Sequence, residues 1–395
     1  MQVGSYRFDR MEFAGSLGDL GTLIPLSIGL ILITGLKLSS VFIIVGLFYI
    51  LAGVYFRLPI PVQPLKVVAA IAIAFPDKIT VPIISATGLI FGITLLVLAW
   101  TGVIDWVARF FTKPVVRGIQ LGLGFILFTK GVGFIQSQDL FIQEGVRVTA
   151  LGGLSFNTII GIVFAIIALI FLSSQRFPAA LIVVMSGITI GIAFGALRGV
   201  SFAFGPTPIE FGWPGAIDYW NALILLVIPQ IPLTLGNAII GTRDATQSLF
   251  GEGKQTEKAT HRGFSTSMGL ANIGAGFLCG MPVCHGAGGL AAHYRFGART
   301  GGSNIMIGII FLIIALIFGK IGIHILSAVP NAVLGVLLVF AGLELALLVK
   351  DIQVRRDLFI VFTIAGIAIA TSNMGIAFFA GIVVDRLIKV SKLKV

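Results

Sequence analysis

The sequence predicts an all-α polytopic membrane protein with fourteen transmembrane segments, and its composition is the first observation behind this prediction. The chain has 395 residues, of which 57% are hydrophobic and only 11% are charged, and its mean hydropathy is +1.06. A soluble domain cannot bury so much apolar surface, so most of the chain must lie in lipid. The formal charge of +11 is interpreted as a bias of the cytoplasmic loops and not as nucleic-acid binding.

The second observation is a series of charge-free stretches, each long enough for a span of about 20 residues. Twelve of the fourteen segments are predicted as helices, and two further segments, 59–75 and 280–295, have an interrupted pattern. The predicted helices cover residues 13–35, 40–56, 81–100, 114–133, 156–172, 178–197, 223–241, 263–278, 303–318, 330–348, 358–370 and 374–388.

The two interrupted segments share one pattern, an extended run followed by a short helix. Prolines hold Pro59–Pro64 extended, and Pro282 does the same for the run Met281–His285. Each helix that follows would begin with unpaired N–H groups and about half a positive charge, which attract anions. Paired interruptions of this kind predict a transporter site near the membrane midplane, built from discontinuous helices.

Seven segments precede the middle of the chain and seven follow it, and an odd number per repeat makes the second repeat inverted. With a cytoplasmic N-terminus, nineteen lysines and arginines fall on the cytoplasmic side. The six on the other side are Lys37, Lys78, Lys130, Arg147, Arg198 and Lys320. This asymmetry predicts that both termini are cytoplasmic. In a prokaryote the membrane would be the plasma membrane.

Several polar and small residues are predicted to bind an anion at the two helix starts. Lys66 would supply charge, although it could instead pair with Asp19 and only stabilise packing. Gln63 and Asn237 could donate amide N–H groups, or could simply hydrogen-bond between helices. His285 is predicted to cap the second short helix, either as an anion donor or as a purely structural cap. The full set is Gln63, Pro64, Lys66, Asn237, Cys284, His285, Gly286, Ala287 and Gly288.

Two acids are candidates for ion coupling. Asp19 is placed about two turns into the first helix, where a carboxylate is costly unless it is paired or hydrated, and it could bind a proton or sodium ion. Glu344 is a weaker candidate because it is placed near the cytoplasmic end of its helix. Cys284 and His285 are adjacent but have no further ligands nearby, so no metal site is expected. No cofactor is expected either.

Two pairs of stretches resemble a known family. They are Gly18–Thr22 with Pro59–Ala70, which contains PVQPLK, and Pro229–Asn237 with Gly280–Gly301, which contains MPVCHGAGGLAAHYRFGAR. The sequence resembles the molybdate transporter family, a relative of the sulfate permeases that shares the seven-plus-seven inverted repeat of uracil permease. The resemblance implies a core domain (1–101 and 222–301, with helix 11 reaching about 318), a gate domain (102–221 and 319–395) and a homodimer.

The expected function is therefore secondary transport of molybdate by alternating access, with the anion between the two short helices. Sulfate or another oxyanion remains an alternative substrate, and an anion channel of the same fold remains an alternative mechanism. A nucleobase carrier is disfavoured because Asn237 and His285 stand where an acid would be needed. An enzyme is not expected, because the sequence shows no nucleophile or metal cluster with supporting acids.

Overall fold

The computed structural model describes residues 2–3, 5–103, 112–142, 155–172, 174 and 178–391. These residues are mostly helical, with two short antiparallel strand pairs, β1 (Gln2–Val3) with β2 (Tyr6–Arg7) and β3 (Gln63–Pro64) with β4 (Val283–Cys284). The helices are α1 (Arg10–Ser16), α2 (Leu20–Thr34), α3 (Leu38–Phe56), α4 (Lys66–Ala74), α5 (Val81–Thr101), α6 (Lys113–Ile135), α7 (Phe156–Leu172), α8 (Ala179–Ala193), α9 (Ala216–Phe250), α10 (His261–Phe277), α11 (Ala287–Arg295), α12 (Gly302–Leu316), α13 (Gly319–Ser327), α14 (Asn331–Ala346), α15 (Arg355–Thr371) and α16 (Met374–Ser391).

The described helices include membrane spans, as the composition predicts. Five of them, α3, α5, α6, α9 and α14 with its continuation to Asp351, are long and apolar enough to cross a bilayer. The number rises to seven if the bent pairs α1–α2 and α12–α13 each form one span, with bends of 45° and 91°. The chain is thus a multi-pass membrane protein, while the count of fourteen segments stays a prediction.

Three pairs of helices cross at reciprocal glycine contacts. At each crossing, a Cβ added to either glycine would lie only 2.5–3.0 Å from the carbonyl oxygen of the other. Small residues let helix backbones approach closely, which is the main source of packing in a lipid environment. The pairs are Gly46 with Gly308 (α3 and α12), Gly92 with Gly269 (α5 and α10), and Gly124 with Gly342 (α6 and α14).

The strand pair β3–β4 joins the two interrupted segments in the interior. Gln63 lies opposite Cys284 and Pro64 opposite Val283, and the Leu65 N–H donates to the Pro282 carbonyl at 2.9 Å. Asn272 of α10 binds both the N–H and the carbonyl of Val283, at 3.0 and 2.7 Å. The two short helices α4 and α11 leave this ladder from opposite ends. Its depth in the membrane stays a prediction.

The first predicted helix is broken, so the prediction of one continuous helix at 13–35 is wrong. The chain bends by 45° between α1 and α2, and Asp19 is the N-cap residue of α2. At this bend the chain lies close to α11, since a Cβ on Gly18 would be 2.8 Å from the Ala292 carbonyl oxygen. Asp19 therefore stands at a break, where its carboxylate can reach neighbouring segments.

The helix predicted to end at 241 continues to Phe250, and this boundary was also wrong. The polar stretch Thr242–Phe250 continues α9 beyond its apolar part. Within α9, Leu223–Val227 and Thr234–Gly241 are π-helical. These turns flank Pro229 and Pro232, which lack N–H groups and crowd the preceding turn, so the backbone widens on either side.

The α6–α14 crossing provides a stability test. Gly342→Ala would place a Cβ 2.5 Å from the Gly124 carbonyl oxygen, and overpacking of this kind costs about 1–3 kcal/mol. We expect a lower melting temperature for the purified variant in detergent. Gly366→Ala on α15 is the control, because that position is exposed and a Cβ there would meet nothing within 4 Å. Equal melting temperatures would contradict this account of the crossing.

Candidate functional site

A cavity of about 430 Å³ lies between two walls of different chemistry. One wall comes from α2, β3, α4, α9, α11 and the residues just beside them, and the other comes from α6, α7, α8, α14 and their neighbours. The second wall contributes only Ser174 and Glu344 as polar side chains among its described lining residues. The polar side chains of the first wall are Asp19, Thr22, Gln63, Lys66, Asn237 and Arg295.

Both short helices begin at the first wall. On α4, the Val67 N–H donates to Gln230 Oε1 at 2.9 Å, and Gln230 Nε2 in turn donates to Thr234 Oγ1 at 2.9 Å. Gln230 thus acts as a cap for α4. On α11, the N-cap residue is Gly286, which has no side chain to cap the N-terminus. A Cβ at Gly288 would meet nothing within 4 Å, so this turn faces open space.

Asp19 and Gln63 form a buried pair beside α11. Gln63 Nε2 donates to both carboxylate oxygens of Asp19, at 2.7 and 2.9 Å, and the two residues are 3% and 2% exposed. A Cβ on Gly289 would lie 2.5 Å from Asp19 Oδ2 and 2.7 Å from Gln63 Nε2. The carboxylate therefore lies directly against the first turn of α11, where the helix dipole favours negative charge.

Lys66 and Asn237 line the cavity and are half-buried. Among the described residues, no ion pair within 4.0 Å joins Lys66 to Asp19. Asn237 lies on the second π-helical stretch of α9, and π-turns occur frequently at functional sites. Both side chains are placed to interact with a molecule in the cavity.

Five predicted site residues lie outside the cavity lining, in or next to the β3–β4 ladder: Pro64, Cys284, His285, Gly286 and Ala287. His285 Nδ1 is 2.8 Å from the Pro61 carbonyl oxygen and Nε2 is 2.9 Å from Ser267 Oγ. Its ring also stacks on Phe48, with the ring centroids 4.7 Å apart. The prediction that His285 caps α11 is wrong, because both ring nitrogens are engaged elsewhere and Gly286 is the N-cap.

Residues beside the predicted set also line the cavity, including Thr22, Gly289 and Arg295. Helical spacing could have identified Arg295, because Gly288, Ala292 and Arg295 share one face of α11. The lining residues of α14 could not have been identified from the sequence. Val336, Leu337, Phe340 and Ala341, which precede the exposed Glu344, resemble ordinary core positions.

Comparison with known proteins identifies the family. A sequence profile described as "Molybdate transporter of MFS superfamily" matches residues 11–127 and 222–345. The chain belongs to the molybdate transporter family. It is 33% identical to Molybdate transporter 2 of Arabidopsis thaliana, over 97% of this chain and 88% of that protein. It is 28% identical to Molybdate transporter 1 of Chlamydomonas reinhardtii, over 94% and 90% of the two chains.

Solved structures of anion transporters share the fold of this molybdate transporter family member. The transmembrane domain of the cyanobacterial bicarbonate transporter BicA matches with a TM-score of 0.66 at 15% identity, over 96% of this chain and 98% of that one. Murine Solute Carrier 26 family member A9, in the inward-facing state, matches with a TM-score of 0.67 at 14% identity, over 100% and 70%. At these identities the likeness establishes the fold only.

Two neighbouring glycines of α11 test the packing of Asp19 against the helix. Gly289→Ala would push a Cβ into the Asp19–Gln63 pair, so we expect a melting temperature lower by several degrees, corresponding to about 1–3 kcal/mol. Gly288→Ala is the matched control, because its Cβ would project into open space. If both variants melt alike, Asp19 does not pack against α11 as described.

Proposed function

We propose that this protein is a secondary active transporter that carries molybdate across the membrane by alternating access. The observation that carries the proposal is the cavity at which two short helices begin, with Lys66 and Asn237 lining it from one wall. Family membership supports molybdate as the substrate, and the fold supports anion transport.

The charge of the cavity suits a tetrahedral dianion. Each helix N-terminus offers about half a positive charge, and Lys66 adds a full one. Molybdate would accept hydrogen bonds from Lys66, from the Asn237 amide and from the Gly288 N–H. In this proposal Pro64, Cys284, His285, Gly286 and Ala287 contribute indirectly, by holding the ladder and the start of α11.

The two walls support alternating access. The polar wall comes from the stretches that the resemblance assigns to the core domain, 1–101 and 222–318, and the largely apolar wall comes from 102–221 and 319–395. An apolar wall makes few specific bonds to an anion, so it can move across the site without holding the substrate. We propose that the core domain carries molybdate while the gate domain closes each side in turn.

The helix crossings support an inverted repeat of seven plus seven segments. Numbered as fourteen segments, the pairs are 2 with 11 (α3 and α12), 4 with 9 (α5 and α10) and 5 with 12 (α6 and α14). The inverted repeat relates each segment to the one seven places further on, counting from fourteen back to one. This relation turns the pair 2 and 11 into the pair 9 and 4, and it leaves the pair 5 and 12 unchanged. The antiparallel pairing of β3 with β4, in segments 3 and 10, obeys the same relation. A two-fold axis in the membrane plane produces this pattern.

We also propose an orientation in the membrane, a coupling ion and an oligomeric state for this protein. The exposed Arg295 and Glu344 mark the mouth of the cavity, which we assign to the cytoplasmic side together with both termini. A proton or sodium ion bound at Asp19, or less favourably at Glu344, would drive transport. If the host is a prokaryote, the protein would act in its plasma membrane, and the family likeness suggests a homodimer in the lipid bilayer.

Lys66→Gln tests the charge that is proposed to hold the anion. Hydrogen bonds to charged groups contribute about 1.5–3 kcal/mol, so molybdate affinity should fall by about tenfold to hundredfold, measured by calorimetry on the purified protein. Lys130→Gln is the control, because Lys130 is also half-buried but lies over the Phe134 ring, outside this cavity. Unchanged affinity for Lys66→Gln would assign this lysine a structural role.

Competition experiments separate the alternative substrates. Tungstate should displace bound molybdate and sulfate should do so poorly, if cavity size and donor placement select the larger oxyanions. Equal competition by sulfate would reduce the assignment to oxyanions in general. Binding of uracil without any oxyanion would overturn the substrate assignment but leave the fold standing.

Gly288→Leu tests the location of the anion and the mode of transport. A leucine at this position would fill the space in front of α11, so molybdate uptake into proteoliposomes should fall to the level of protein-free vesicles. Full uptake by this variant would place the anion elsewhere. In the same vesicles, wild-type flux that follows voltage at channel rates would favour the anion channel over a carrier.

A further inference from the structure

The Asp19–Gln63 pair has an unbalanced set of hydrogen bonds. The amide N–H₂ group of Gln63 donates to both carboxylate oxygens of Asp19. Gln63 Oε1 is buried and has no hydrogen-bond partner among the residues that the structure describes. A Cβ on Gly286, the N-cap of α11, would collide with this oxygen, so Oε1 lies beside the start of that helix.

A carboxylate in this place also opposes the binding of an oxyanion. The two helix N-termini and Lys66 together offer about two positive charges, which would balance a dianion. Asp19 occupies the first turn of α11 and cancels one of them, while Gln63 Oε1 presents an acceptor where a donor is needed. Burying an excess negative charge in an apolar interior is strongly unfavourable.

We propose that Asp19 takes up one proton when the oxyanion binds, and that a flip of the Gln63 amide links the two events. This inference rests on the proposed function. The protonated carboxyl gains an O–H that donates to Gln63 Oε1, which turns toward it. Gln63 Nε2 then takes the former place of Oε1, beside Gly286 and the first turn of α11, and donates to the anion. A single rotation of the Gln63 amide thus gives Oε1 a hydrogen-bond donor and turns Nε2 into a donor to the anion.

The surroundings of Asp19 make it the group that changes charge. Lys66 from α4 balances the anion, and the exposed side chains of Arg295 from α11 and Glu344 from α14 lie at the mouth of the cavity. The described lining residues of α6, α7 and α8 carry no charge. The ionisable side chains that face Asp19 or share its cavity are Tyr49 (α3), Lys66 (α4), Cys284 (β4), Arg295 (α11) and Glu344 (α14).

The test is a proton count for molybdate binding. Calorimetric titrations of the purified protein, in two buffers with different ionisation enthalpies at one pH, measure the protons taken up. We expect about one proton per molybdate for the wild type, at a pH where free Asp19 is ionised. Above that pH, the affinity of the wild type for molybdate should weaken about tenfold for each additional pH unit. Binding without proton uptake, or uptake of sodium instead, would overturn the proposal.

Asp19→Asn separates this coupling from a structural role. An asparagine mimics the protonated carboxyl, because its amide can donate to Gln63 Oε1 and release Gln63 Nε2. The variant should bind molybdate at least as tightly as the wild type does at low pH, with no proton uptake and no dependence on pH. Loss of binding by a variant that remains folded, or a proton count of one, would contradict the proposal.

Two further variants test the flip of the Gln63 amide and the alternative that Glu344 takes up the proton. Gln63→Met keeps the size but removes the amide, so binding should be at least tenfold weaker at every pH. Wild-type affinity and proton count in this variant would rule out the flip. Glu344→Gln should keep a count of one, and a count of zero would move the proton to Glu344. If the wild type binds no molybdate at any pH, the proposed function itself fails.

Discussion

The antiparallel pairing of β3 with β4 is the constraint on which the site depends. Only two residues from each strand take part, yet the ladder joins segments that are more than two hundred residues apart in the sequence. It satisfies backbone groups that could not remain unpaired in an apolar interior. Because a short helix leaves each end of the ladder, both helix N-termini are held beside one cavity. The bonds from Asn272 and His285 anchor the ladder to its neighbours.

The difference in polarity between the two cavity walls also follows from the β3–β4 pairing. The ladder and its helices belong to one wall, so the polar groups concentrate there and can act as one rigid unit. The opposite wall is an apolar surface with one acid at its rim. The proposed alternating access requires a substrate site that stays intact during movement and a surface that can slide past it. The glycine crossings keep each set of helices closely packed, and serine hydroxyls add hydrogen bonds to carbonyl oxygens between α3 and α12 and between α5 and α10.

Much of the architecture could be predicted from the sequence because the signals are local. Hydropathy identified a multi-pass membrane protein, and the prolines and glycines at Pro59–Pro64 and Gly280–Gly289 identified the interrupted segments. The bend at Asp19 and the continuation of α9 through the polar stretch Thr242–Phe250 were missed, because hydropathy detects neither a contact between distant segments nor a polar helix. Of the candidate site residues, those with charge or an amide, namely Asp19, Gln63, Lys66, Asn237 and Glu344, line the cavity.

By itself, the sequence determined the class of protein, the family and the two interrupted segments with their short helices, because apolar composition and backbone-restricting residues act within a few positions. Tertiary structure decided which side chains share a space. It placed Gln63 on Asp19, which is 44 residues away, and it engaged His285 in the ladder. It also brought Arg295 and Glu344 to one cavity. Such proximity depends on how helices cross, and crossing depends on close contacts between glycines that leave no distinct pattern in the chain.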